Sequence, residues 1–248
     1  MVKVSVVVAT YNQPELLPLA LNSLIDQTFK DMEIIVVPVF SDEKTLALLE
    51  KYRGTIETEV SKEADYIHQR NIGIQKAKGT FITFFDSDDF AFPYKIQQEH
   101  DVATAQNAML VYSTYVRADM DLVPIVAGVM NQSFILDVPI FPTASYQLLL
   151  QSCYIYDYSL VHESMYREFG ILDETLKQAA MYDKWLHIME KYASKVAFNP
   201  HPTFLYRTYP EQMHLTEQQK PEHASLMDQV RRASLSRYQQ KQKQWLTA

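Results

Sequence analysis

Hydrophobic positions along this chain alternate between two spacings. Residues 2–9 form a nearly unbroken β-branched run, which predicts a central strand buried on both faces of a parallel sheet. Over 14–27, Leu17, Leu21, Leu24 and Ile25 recur at helical spacing, and Pro14 suits a first turn. Residues 33–39 predict a second buried strand, 44–52 a helix, 55–60 a short alternating strand, and 66–78 a helix stopped by Gly79. Residues 80–85 predict a strand that runs directly into Asp86-Ser87-Asp88-Asp89. Strands alternating with helices imply βαβ crossovers. The predicted fold class is therefore α/β, a doubly wound and mostly parallel central sheet with ligands at the carboxyl ends of its strands.

Beyond residue 95 the pattern is mixed. It predicts a helix over 95–107, a strand over 109–117, a proline-interrupted stretch of loops over 124–142, and a helix near 145–151. A strand at 157–161 and a helix over about 176–192 follow, the latter with Trp185, Ile188, Met189 and Tyr192 in one apolar stripe. The C-terminal stretch is Gln-rich and locally basic, with Arg231, Arg232, Arg237, Lys241 and Lys243.

Composition narrows the function classes. A formal net charge of −7 gives no basic footprint for nucleic acid. The single cysteine, Cys153, excludes an internal disulfide framework, and the opening strand replaces any leader-like segment, so a cytoplasmic location is expected. No run of about eighteen apolar residues is present, which confines membrane contact to the periphery. Five glycines, none in a Gly-x-Gly-x-x-Gly after the first strand, argue against a nicotinamide dehydrogenase.

The candidate chemistry lies at two strand ends. Three carboxylates within Asp86-Ser87-Asp88-Asp89 repel one another, a cost carried most readily where a divalent cation or a hydroxyl-rich ligand sits among them. Thr10-Tyr11-Asn12 ends the first strand on what should be the same sheet edge. A metal-assisted nucleotide-sugar site is the reading these two features suggest.

Three ordered motifs then carry a resemblance. They are Val4-Ser5-Val6-Val7-Val8-Ala9-Thr10-Tyr11-Asn12; Arg70-Asn71-x-Gly73-x-x-x-Ala77-x-Gly79 leading to Phe84-Phe85-Asp86-Ser87-Asp88-Asp89; and Gly170-Ile171-Leu172-Asp173-Glu174 followed by Tyr182-Asp183-x-Trp185-Leu186. Over roughly residues 2–210 the chain resembles the family-2 inverting glycosyltransferases of GT-A fold. The resemblance implies a nucleotide-sugar-binding half over 1–118, an acceptor-binding half over 119–210 and a C-terminal helical tail over 211–248. It implies that Thr10, Tyr11 and Asn12 lie against the nucleotide, that Arg70 approaches its phosphates or ribose, that Asp86 touches the ribose beside Ser87, and that Asp88 binds Mn²⁺ or Mg²⁺. The expected donor is a nucleoside diphosphate sugar, a UDP-sugar first, and the expected acceptor a hydroxyl on a glycan, a lipid-linked molecule or a glycoprotein. Surface-polysaccharide assembly is the usual setting of such enzymes.

Departures from the family pattern matter as much. Relatives end the second strand in paired aspartates, one reading the base, whereas this chain has Val36-Val37-Pro38-Val39-Phe40-Ser41-Asp42. Either Asp42 substitutes, or the base stacks on Phe40, or Asp42 belongs to a surface loop. The family's catalytic base is an aspartate where this chain has Met181; Asp183 is the nearest carboxylate, as base or as helix cap, with Asp173 and Glu174 as alternatives. Relatives place a histidine near Tyr209, and His214 is the candidate substitute as metal ligand, against a packing or surface role. Tyr154, Tyr156 and Tyr158 could stack on sugars or pack. The tail is open to three readings: an amphipathic helix at the inner membrane face, a partner-docking helix, or a solvated helix packed on the domain. A homodimer stays open. The rival function is a catalytically weakened nucleotide-binding or scaffold partner of another transferase.

Overall fold

A computed structural model describes residues 2–40, 42–130, 133–136, 140–209 and 221–247. Strands β1 (Val4–Thr10), β2 (Met32–Pro38), β3 (Glu57–Thr58) and β4 (Phe81–Asp86) run parallel, joined through helices α1 (Leu17–Ile25), α2 (Glu43–Leu49) and α3 (Tyr66–Lys76). After β4 come β5 (Phe90–Ala91), α4 (Lys95–Ala105), β6 (Leu110–Ala118), a hairpin of β7 (Val126–Met130) and β8 (Ser133–Leu136), then α5 (Tyr146–Gln151) and β9 (Leu160–His162). Helix α6 (Ser164–Phe169), α7 (Ala179–Tyr192), β10 (Val196–Arg207) and α8 (Pro221–Thr247) follow. Eight strands form one sheet in the order β3-β2-β1-β4-β9-β6-β10-β5. Strand β9 is antiparallel to both β4 and β6, β6 and β10 are parallel, and β5 closes the edge antiparallel to β10.

The β-branched run of β1 explains its place. Val4, Val6 and Val8 point into a core layer with α1 and α4, while Val7 points into the layer that holds α3 and α7. A strand covered on both faces cannot afford polar alternation, hence the continuous apolar run. Two motif glycines set how closely α3 and the β4 approach lie on β1. A Cβ at Gly73 would stand 2.1 Å from Val7 Cγ1, and one at Gly79 would stand 2.6 Å from the Ser5 backbone nitrogen.

Several expectations shift. The strand expected over 55–60 shrinks to Glu57–Thr58, and the one expected at 157–161 starts at Leu160, leaving Asp157 in the preceding loop. The stretch 124–142, read as loops, contains the β7–β8 hairpin. Strand β10 was hidden by Pro200 and Pro202, where its register against β6 shifts, because a proline cannot donate to the ladder. The short α6 and β5 gave too few residues for a period.

Helix α8 packs on α7. Tyr238 stacks on Tyr146 at 4.6 Å, and the buried Glu190 accepts from Ser234 Oγ at 2.7 Å and from Arg237 Nη2 at 2.8 Å, with Lys241 Nζ at 3.5 Å. Arg231 reaches Asp228 and the Tyr182 hydroxyl. Arg237 and Lys241 thus meet Glu190 of α7, and one face of the tail helix packs on the domain. Among the described residues no helix is long and apolar enough to cross a membrane.

Because the site opposite Gly79 is backbone, which cannot swing aside, Gly79→Ala should lower unfolding stability by about 1–3 kcal/mol. Urea unfolding followed by circular dichroism reads this directly; an unchanged midpoint would refute the close packing of α3's exit on β1.

Candidate active-site cleft

Strands β1 and β4 are neighbours in register, Ala9 opposite Asp86, so the two motifs end on one edge of the sheet. Beyond Thr10 the chain turns through Asn12, whose φ of 54° lies in the left-handed region that asparagine tolerates. This turn is pinned from both sides. The Asn12 backbone N–H donates to Asp42 Oδ2 at 2.6 Å, while Gln69 Nε2 donates to the carbonyls of Thr10 at 2.9 Å and Val37 at 2.5 Å. Asp42 Oδ1 also accepts from the Thr45 N–H at 3.1 Å, capping α2. Burial pushes the Asp42 carboxyl up, but the hydrogen bonds from Thr45 and Asn12, with Lys44 nearby, outweigh it and hold it below the usual value. Asp42 does not line the cleft. Its two oxygens accept from the Asn12 and Thr45 backbone N–H groups, so it latches the loop that borders the cleft.

The acidic run divides into three environments. Asp86 is the most open, its side chain 42% exposed, and pairs with Arg70 at 3.0 Å. Asp88 is buried, and its Oδ2 accepts from the Tyr209 hydroxyl at 2.9 Å. Burial, then the neighbouring Asp86 charge, pushes its pKa up to about 6. Asp89 turns inward, accepting from Tyr158 Oη at 2.6 Å and the Arg207 N–H at 2.8 Å; burial and then the Asp88 charge hold its pKa well above normal. Ser87 Oγ donates to Gln13 Oε1 at 2.5 Å, and Gln13 Nε2 donates to Tyr209 Oη at 3.1 Å, so the first loop, the acid tip and the segment after β10 form one network.

Arg70 is 1% exposed. It lies against the rings of Tyr66 and Phe84 and gives Nη1 to Asp157 at 2.6 Å and Nη2 to Asp86 at 3.0 Å. The structure places it in the wall of the cleft, held by two carboxylates.

These groups border a cleft of about 560 Å³. Of the predicted residues, Thr10, Tyr11, Asn12, Arg70, Asp86, Ser87 and Asp88 line it. Asp183 does not. Two positions along a helix rotate a side chain by about 200°, so while Met181 faces the cleft Asp183 faces α8, with His187 Nδ1 at 3.3 Å and Arg237 Nη2 at 3.8 Å. Asp173 accepts from the Thr175 N–H at 2.9 Å, and Glu174 meets Asn71 and His68, both away from the cleft. His214 lies outside the described residues. Tyr156 lines the cleft at 5.4 Å from the Tyr206 ring, while Tyr158 and Tyr154 serve packing.

Sequence reasoning missed Gln13, Asp157, Tyr206 and, from α8, His223 and Met227 as cleft residues. Tyr209 had a signal, since it stood where relatives carry histidine; α8 had none, because its contribution depends on long-range docking.

Among the described residues no three His, Cys, Asp or Glu side chains converge to hold a metal unaided. Asp86 and Asp88 nonetheless offer oxygen donors alone, and the raised proton affinity of Asp88 beside a second carboxylate is the condition a hard divalent cation relieves. Such a donor set fits an ion that takes most of its ligands from a diphosphate and water.

Comparison with known proteins follows the same lines. An uncharacterized glycosyltransferase of Rickettsia typhi is 26% identical over 191 residues, 75% of this chain and 58% of that protein, so this chain spans little more than half of it. The crystal structure of S. aureus TarS 1–349 in complex with UDP-GlcNAc superposes with a TM-score of 0.67 at 16% identity, covering 92% of this chain and 65% of that one. The mannosyltransferase PcManGT from Pyrobaculum calidifontis, in complex with GDP-Man and Mn²⁺, superposes with a TM-score of 0.64 at 12% identity, covering 91% and 62%. The fold is thus the GT-A arrangement of a large, mostly parallel sheet with a C-terminal helix added. Residues 5–170 match the family described as Glycosyl transferase family 2, and with the motifs set on one sheet edge the chain belongs to that family.

Proposed function

We propose that this chain is a metal-dependent, inverting glycosyltransferase that moves a sugar from a nucleoside diphosphate sugar, a UDP-sugar first, to a hydroxyl of a glycan, lipid-linked or protein-linked acceptor. One observation carries the reading: the pinned loop after β1 and the acid tip of β4 open into a single cleft, with Asp86 and Asp88 both facing it. The TarS complex with UDP-GlcNAc and the PcManGT complex with GDP-Man and Mn²⁺ supply folds of the same kind carrying such donors.

In this reading residues 10–12 lie against the nucleotide, held in shape by Asp42 and Gln69. Asp86 meets the ribose, its carboxylate steadied by Arg70. Asp88 and Asp86 would hold Mn²⁺ or Mg²⁺, which supplies neutralisation of the charge on the departing diphosphate. Tyr209, Gln13 and Ser87 fix the Asp88 carboxylate, and Tyr156 with Tyr206 gives an aromatic wall for sugar faces. Residues 1–118 then serve the donor, 119–210 the acceptor, and the tail closes one wall; the working place is cytoplasmic. One observation favours a second reading, a catalytically weakened nucleotide-binding partner: Met181, buried in the cleft wall, cannot accept a proton and Asp183 is turned away.

Calorimetric titration with UDP and GDP, with and without Mn²⁺, tests the donor site. Asp88→Ala should weaken the Mn²⁺-dependent component by roughly 100-fold, about 2.7 kcal/mol, and equal affinities would overturn the assignment. Asp42→Ala strands two backbone N–H groups, so it should cost about 1–3 kcal/mol of stability and also weaken nucleotide binding. Stability lost with affinity intact would remove Asp42 from the site's support.

A further inference from the structure

We propose that Asp157 is the catalytic base of this transferase; the inference rests on the function proposed above. Transfer with inversion needs a group that takes the acceptor hydroxyl's proton as the oxygen attacks the anomeric carbon. At the position that resemblance reserves for it stands Met181. Three carboxylates line the cleft among the described residues: Asp86, Asp88 and Asp157. The first two sit on the tip of β4, committed to the donor. Asp157 comes from the loop before β9, with its side chain 33% exposed.

Topology brings it there. Strand β9 runs antiparallel to β4, so the residues just before it extend along β4 toward its carboxyl end, and Thr83 Oγ1 donates to the Tyr158 carbonyl at 2.8 Å to hold that approach. Asp157 therefore shares one cleft with Met181, Gln178 and Tyr156. Its position is fixed by chemistry as well as by chain path. Asp157 and Asp86 occupy the two arms of one buried guanidinium, Nη1 and Nη2 of Arg70, so their separation is set by a planar covalent group rather than by two loops. A base held at fixed distance from the ribose-binding carboxylate is a base held at fixed distance from the donor.

The step balances without any further reactant. The acceptor O–H gives its proton to the Asp157 carboxylate, the oxygen forms its bond to the anomeric carbon, and the bond from that carbon to the β-phosphate oxygen breaks, its electron pair leaving on the diphosphate. The proton on Asp157 is then lost to solvent.

Azide separates a base from a structural residue, because it is an anionic nucleophile and needs no deprotonation. Purified wild type, Asp157→Ala and Asp157→Asn are incubated with Mn²⁺ and UDP-GlcNAc, UDP-glucose or GDP-mannose, with water or sodium azide as acceptor, and UDP or GDP binding is measured alongside. Both variants should lose donor hydrolysis by about 100-fold or more. Asp157→Asn, which still offers Arg70 Nη1 a side-chain oxygen while Asp86 keeps its contact to Nη2, should hold nucleotide affinity within about tenfold and lose far less azide transfer than hydrolysis, whereas Asp157→Ala reads how much binding depends on the Arg70 contact. Hydrolysis retained by Asp157→Asn, or azide transfer lost by that variant in parallel with hydrolysis, overturns the assignment. Wild type that binds no nucleotide overturns the functional reading itself, and wild type that binds but turns over no donor leaves the weakened-partner reading standing and removes the base with it.

Discussion

The arrangement of this molecule turns on one buried cation. Arg70 sits on α3 beneath the sheet edge, sealed by Tyr66 and Phe84, and a guanidinium without water is tolerable only if its charge is matched. Asp86 and Asp157 provide that match, and in doing so the end of β4 and the loop before β9 become parts of one object. Even the closeness of α3 to β1, set at Gly73, serves to put Arg70 and Gln69 at the right depth.

A second constraint is the repulsion within the acidic run. It is offset by giving each carboxylate a different donor: a guanidinium for Asp86, a tyrosine hydroxyl for Asp88, and a tyrosine hydroxyl with a backbone N–H for Asp89. The consequence is a division of labour among residues that look equivalent in the sequence. Asp89 ties the tip to β10, Asp88 keeps a raised proton affinity in the cleft, and Asp86 remains open to ligand.

Much of this was legible in the sequence, for identifiable reasons. Continuous β-branched runs announce doubly covered strands, so β1, β2 and β4 were readable, as were the loop at 10–12 and the acids that end β4. Residues whose roles depend on what lies opposite were not. Asp42 has the right chemistry for a base-reading group, but its hold on the Asn12 N–H, thirty residues away, could not be read from the sequence. Asp183 sits two places from the position of interest, and helical rotation alone turns it to α8. The value of Asp157 is invisible without the antiparallel strand that delivers it, and β10 was obscured by its own prolines.

The docking of α8 has a temporal meaning. His223 and Met227 complete the cleft wall from residues made after everything in the sheet. The core layer that holds α3 and α7 itself takes in Val230, so both that layer and the wall are finished only when the helix carrying Ser234 and Arg237 meets Glu190. A chain extended only through β10 therefore lacks one wall of the cleft and part of one core layer, so the last element made is the one on which both depend.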